Sequence, residues 1–125
     1  MKPLPPYAQL LQLRTEERDG SLRFVMPFHD DVVGRPGFLH GGAIAGLLEF
    51  AAFTALSRAV GDEVVKKPIT VTVDYMRGGT SQDTYAEALI ERLGKRMANV
   101  EAVAWQRDPE RPIASARINF LLDRA

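Results

Sequence analysis

A chain of 125 residues, 46% hydrophobic and 26% charged, can bury one core and is too apolar to stay disordered. Its 16 Lys and Arg offset 16 Asp and Glu, so the formal net charge is zero and the basic excess expected of a nucleic-acid binder is missing. With no cysteine, disulfides, cysteine chemistry and thiolate metal sites are excluded.

The start, Met1-Lys2-Pro3-Leu4-Pro5-Pro6, does not read as a signal peptide, which points to a cytoplasmic protein. Arg14 to Arg18 and the alternating Leu22, Phe24, Met26 and Phe28 flank Asp19-Gly20, a hairpin signal because tight turns need positive φ. A loop rich in turn residues follows, from His29 to Leu39, with Gly34, Pro36 and Gly37. Gly41 to Leu56 is rich in Ala and Leu and predicts a helix. It is apolar on nearly every side, so most of its surface needs cover. Its longest uninterrupted apolar stretch, Ala43 to Leu48, is too short to span a membrane. Ser57-Arg58 and Gly61-Asp62 bring the helix to its end, and Asp62 to Lys67 reads as a charged connection.

Four strands are predicted after it. Ile69, Val71, Val73 and Tyr75 alternate with polar neighbours, and a Gly78-Gly79 turn leads to Thr84–Glu91. Gly94 precedes Met97–Gln106, Asp108-Pro109 marks a turn, and Ile113–Leu122 closes the chain. Consecutive strands without an intervening helix argue antiparallel pairing and an α+β class, over a single domain of residues 1–125.

Glu49 is the one charged residue in the apolar helical run. An unpaired carboxylate in a dry core costs roughly several kcal/mol, so Glu49 is either functional or held in a structural ion pair. His29-Asp30-Asp31 could suggest a metal, but two histidines without cysteine make a poor ligand set, and a solvated loop is the better reading. Tyr75 and the apolar strand positions read as core, and Trp105 has no assigned role.

Gly37-Phe38-Leu39-His40-Gly41-Gly42, with Glu49 nine residues after His40, resembles the signature of hotdog-fold acyl-CoA thioesterases of the phenylacetate-degradation type. The stretches Val73–Arg77 and Arg92–Arg96 also resemble that family's strands, and the likeness spans roughly residues 20 to 122. Two positions depart from it: Gly34 stands where many members carry Asn, and Pro68 where some carry Ser or Thr. The resemblance implies an antiparallel sheet wrapped around one long apolar helix, and hydrolysis of acyl-CoA without metal or cofactor. It implies that the Gly41 N–H polarises the thioester carbonyl and that Glu49 acts as general base or as nucleophile. His40 and Gly42 would hold loop and substrate. Gly94, Lys95 and Arg96 would bind coenzyme A phosphates, although cations at a strand turn are usually only solvated.

Gly41 and Glu49 are eight residues apart, about 12 Å along a helix, so they cannot touch one carbonyl. A site using both needs two subunits, hence a homodimer or a dimer of dimers, as the resemblance also implies. Two rivals stand beside hydrolysis. A hotdog hydratase or dehydratase would place a His in the loop before the helix, where this chain has Gly34 and Arg35. A non-catalytic acyl-CoA binding or sensor module is kept open by Gly34.

Overall fold

The structure, a computed structural model, describes residues 4–124. Its first element, helix α1 (Pro6–Leu10), is absent from the sequence reading. Proline at a first helical position sacrifices no hydrogen bond, since that N–H has no partner within the helix. Ala8, and Leu11 just beyond the helix, are buried. Strands β1 (Arg14–Arg18) and β2 (Ser21–Met26) form the predicted hairpin. Asp19 and Gly20 take φ of 51° and 82°, as a two-residue primed turn requires.

Helix α2 (Gly41–Val60) runs one turn beyond the predicted Leu56. Gly61, at φ 97°, ends it by turning its N–H back to Ser57 O at 2.8 Å. Taken whole, this helix is long and apolar enough to cross a membrane by length and composition, but the sheet packs along it and makes it the core helix. Strand β3 (Val65–Tyr75) starts earlier than predicted: Val65, Lys66 and Lys67 pair with Asp123, Leu122 and Leu121. The presumed charged connection is therefore half strand, and Lys66 turns its stem inward to 9% exposure. Register slips between Pro68 and Thr70, where proline cannot donate to the ladder.

Strands β4 (Thr84–Leu93), β5 (Met97–Trp105) and β6 (Ala114–Asp123) complete a six-stranded antiparallel sheet of order β1-β2-β4-β5-β6-β3. Its inner face carries Ala86, Ala98, Ala102, Ala104, Ala114 and Ala116, all buried, which lets α2 lie close against it. Leu47, Leu48 and Leu56 are fully buried there with Val100, Ile118 and Phe120, each worth about 1.5–3 kcal/mol of burial. This is the hotdog arrangement, in the α+β class.

The sheet does not close round the helix. Between the edge strands, one face of α2 stays uncovered, and Gly42, Glu49 and Phe53 on it are exposed. A cavity of about 910 Å³ lies along that face, walled by Phe24, Phe50, Phe53 and Phe120 among others. Strand β3 is an edge as well, exposing Val65, Ile69, Val71 and Tyr75. The cover that an all-apolar helix needs is thus only partly supplied by its own chain.

Candidate active site

The loop before α2 is held by backbone bonds. Gly34 N donates to Phe38 O at 3.0 Å, Leu39 N to Gly79 O at 3.0 Å, and His40 N to Val32 O at 2.7 Å. The loop closes so tightly that a Cβ on Gly34 would lie 3.1 Å from His40 Cα. A side chain at Gly34 would thus need the loop to give by a few tenths of an ångström.

His40 is the N-cap of α2. Its Nδ1 accepts from Gly42 N at 2.9 Å, so in the neutral ring Nε2 carries the proton. Gly42 makes this possible, because a Cβ there would stand 2.9 Å from His40 Nδ1 and Cε1. The His40 carbonyl accepts from Ala43 N at 3.0 Å and Ile44 N at 3.2 Å. Of the first-turn N–H groups only that of Gly41 has no acceptor among the described residues. It belongs to the same peptide unit as the doubly bonded His40 carbonyl, and such bonding polarises an amide N–H. The first turn thus presents one free, polarised donor with the dipole of a 20-residue helix behind it.

Tyr75, read from sequence as core, is half exposed and ends at this turn. Its Oη donates to Gly41 O at 2.8 Å, and its ring lies 3.5–3.6 Å from where a Gly41 Cβ would be. The Gly41–Gly42 peptide is therefore clamped at both ends, by Tyr75 on its carbonyl and His40 on its N–H. Tyr7 Oη approaches Gly42 O at 3.5 Å from α1.

Glu49 lies further along α2 on the uncovered face, in the wall of the large cavity. The apolar residues around it in the sequence predict a covered position. In this chain it is exposed and forms no salt bridge among the described residues, so an internal ion pair is not its role. Gly41 and Glu49 are not brought together within one chain, as their spacing requires.

Lys95 and Arg96 occupy the β4–β5 turn, where Gly94 N donates to Met97 O at 2.8 Å. The structure joins Lys67 and Arg124 to them around a cleft of about 390 Å³. Arg124 donates to Lys95 O at 3.0 Å and Gly94 O at 3.4 Å. Neither was visible in sequence, since strand pairing alone brings positions 67 and 124 beside 95. This cluster lies near the Val65 end of β3, whereas Gly41 lies at the Tyr75 end, about 26 Å away along the strand.

His29 is half-buried and bonds Leu11 O at 3.1 Å through Nε2, so it ties the loop to the N-terminal segment where a solvated side chain was expected. Among the described residues no group of three His, Asp or Glu side chains could hold a metal ion. Trp105 stacks on Tyr85 at 6.0 Å under the Arg23 guanidinium, a structural role.

The sequence model of the thioesterase superfamily matches residues 36–113, a span that includes His40, Gly41, Glu49 and the β4–β5 turn. The chain belongs to the thioesterase superfamily. A Chromobacterium violaceum protein of known structure is 36% identical over 95% of this chain and 84% of its own, with a TM-score of 0.79. A Bacillus halodurans protein whose crystal structure contains CoA has a TM-score of 0.88 at 24% identity, covering 98% of this chain and 81% of that one. A phenylacetic acid degradation-related protein of Ralstonia eutropha has a TM-score of 0.85 at 20% identity, covering 96% and 92%. The last two likenesses concern the fold. No curated protein matches the sequence. Within the matched span lie a helix N-terminal donor and, eight residues on, a carboxylate, neither of them paired among the described residues.

Proposed function

We propose that this superfamily member is a cytoplasmic homodimeric acyl-CoA thioesterase whose site is shared between two subunits. The observation that carries this reading is the Gly41 N–H at a clamped helix start, with no acceptor among the described residues. The Gly41 N–H of one protomer binds the thioester oxygen and stabilises the charge that develops on it. Glu49 of the partner subunit takes a proton from the attacking water, or attacks the carbonyl itself to give an anhydride that water then opens. In either route the C–S bond breaks and coenzyme A leaves as the thiol.

The open helix face and the apolar β3 edge support the dimer. Antiparallel pairing of two β3 strands sets the Val65 end of one against the Tyr75 end of the other. Lys67, Lys95, Arg96 and Arg124 then approach the partner's Gly41, where cations suit coenzyme A phosphates. The CoA in the Bacillus halodurans structure supports the ligand class. A back-to-back dimer of dimers is compatible with the free outer face of the sheet.

The missing side chain at Gly34 favours one rival, an acyl-CoA binding module without turnover. Thiol release from a panel of aromatic and aliphatic acyl-CoAs separates them. Turnover that collapses in Glu49→Ala supports the enzyme, while binding without thiol release supports the module.

A further inference from the structure

The large cavity holds two polar groups that thioester hydrolysis does not use. Lys66 projects into it from the inner face of β3 at 9% exposure. Its Nζ donates to Val64 O at 2.7 Å and stands 5.3 Å from the centre of the Phe53 ring. An ammonium has three donors, and Lys66 forms no salt bridge among the described residues. One helix turn beyond Phe53, Ser57 Oγ is buried in the same cavity wall with no hydrogen-bond partner among the described residues. Charged and polar groups in such a setting are costly unless water or a ligand satisfies them. The other charges on the wall leave Lys66 unmatched: Glu17 is paired with Arg58 at 3.3 Å, while Asp62 and Glu49 are exposed and form no salt bridge among the described residues.

We infer that this cavity receives an acyl group whose far end carries a carboxylate, bound by Lys66 and Ser57. The inference rests on the thioesterase reading and names its substrate class: half-thioesters of dicarboxylic acids. A carboxylate offers two oxygens, one for the ammonium and one for the hydroxyl, in charge-assisted bonds. A methyl-ended chain would leave both groups unmet. Phe53 and Ser57 lie four and eight residues beyond Glu49, about 6 and 12 Å along the helix. Allowing about 3 Å between Glu49 and the thioester carbon leaves roughly 3–9 Å to the terminal carboxylate, about a four- to eight-carbon diacid.

Thiol release is compared for adipyl-CoA and hexanoyl-CoA with wild type, Lys66→Met, Lys66→Arg and Ser57→Ala. The wild-type kcat/KM ratio is expected to favour adipyl-CoA by about tenfold or more. Lys66→Met brings the ratio to about one or below, Lys66→Arg retains a preference, and Ser57→Ala lowers it partly. Each ratio is internal to one variant, so a general loss of folded protein does not imitate the effect. A wild-type ratio of one or less, or a ratio unchanged in Lys66→Met, overturns the inference. If neither ester is hydrolysed, the thioesterase reading fails separately and the same pair is compared by calorimetric Kd. Tighter adipyl-CoA binding that Lys66→Met abolishes then upholds the carboxylate subsite, and equal Kd values overturn it.

Discussion

Gly42→Ala sets two effects of similar size against each other. Replacing glycine inside a helix by alanine stabilises by about 0.5–1 kcal/mol, through lower backbone entropy in the unfolded chain. The new methyl would stand 2.9 Å from His40 Nδ1 and Cε1, so the ring must leave its place. That breaks the N-cap bond from Gly42 N at 2.9 Å, which typically costs about 1 kcal/mol. The two nearly cancel, and the melting temperature is expected to move by only about 2–4 °C in either direction. Activity should not be spared. With His40 displaced, the clamp on the Gly41–Gly42 peptide has only Tyr75 left, and the adjacent Gly41 N–H loses its fixed aim. Small misplacements of such donors cost about tenfold or more, so kcat should fall by at least that factor with little change in KM. Steady-state thiol release, calorimetric melting and the imidazole 15N shifts of His40 are measured together. Full activity with His40 Nδ1 still accepting refutes the clamp, as does a stability loss several-fold larger than the cap.

Tyr75→Phe keeps the ring over Gly41 and removes only the bond to Gly41 O, so kcat/KM is expected to drop about threefold to tenfold, near 1 kcal/mol. An unchanged kcat/KM would show that His40 alone fixes the peptide. Neutralising Lys67, Lys95 and Arg96 to Ala together should raise KM for acyl-CoA and weaken its salt dependence. The same variant should hydrolyse short N-acetylcysteamine thioesters, which lack the phosphates, as wild type does. Equal losses on both substrates would refute a phosphate-binding role.

The hairpin turn, the helix and the succession of strands along the chain were legible because Asp19-Gly20, the Ala/Leu run and the alternating strands are local signals. Helix α1 was not, since five residues after Pro5 show no apolar stripe. The early start of β3 was hidden by Lys66 and Lys67, whose charges resemble a loop although one stem packs inward. Tyr75 illustrates the limit at the site. Its alternation correctly marks a strand face, but only the place of β3 beside the start of α2 puts its hydroxyl on Gly41. Lys67 and Arg124 likewise join Lys95 through pairing across distant positions. Glu49 stands out as a lone charge in an apolar run, yet its exposure on an uncovered helix face is not legible there, because it depends on where the sheet stops wrapping α2.

The shared site is tested most directly by mixing two defective proteins, Glu49→Ala and Gly41→Val, under conditions that exchange subunits. Each alone should release almost no thiol. In a mixed dimer one site pairs an intact Gly41 with an intact Glu49 from the other chain, so thiol release should recover to about a quarter of wild type. Absence of recovery in a mixture shown to contain heterodimers, or full turnover by Glu49→Ala alone, would contradict the account.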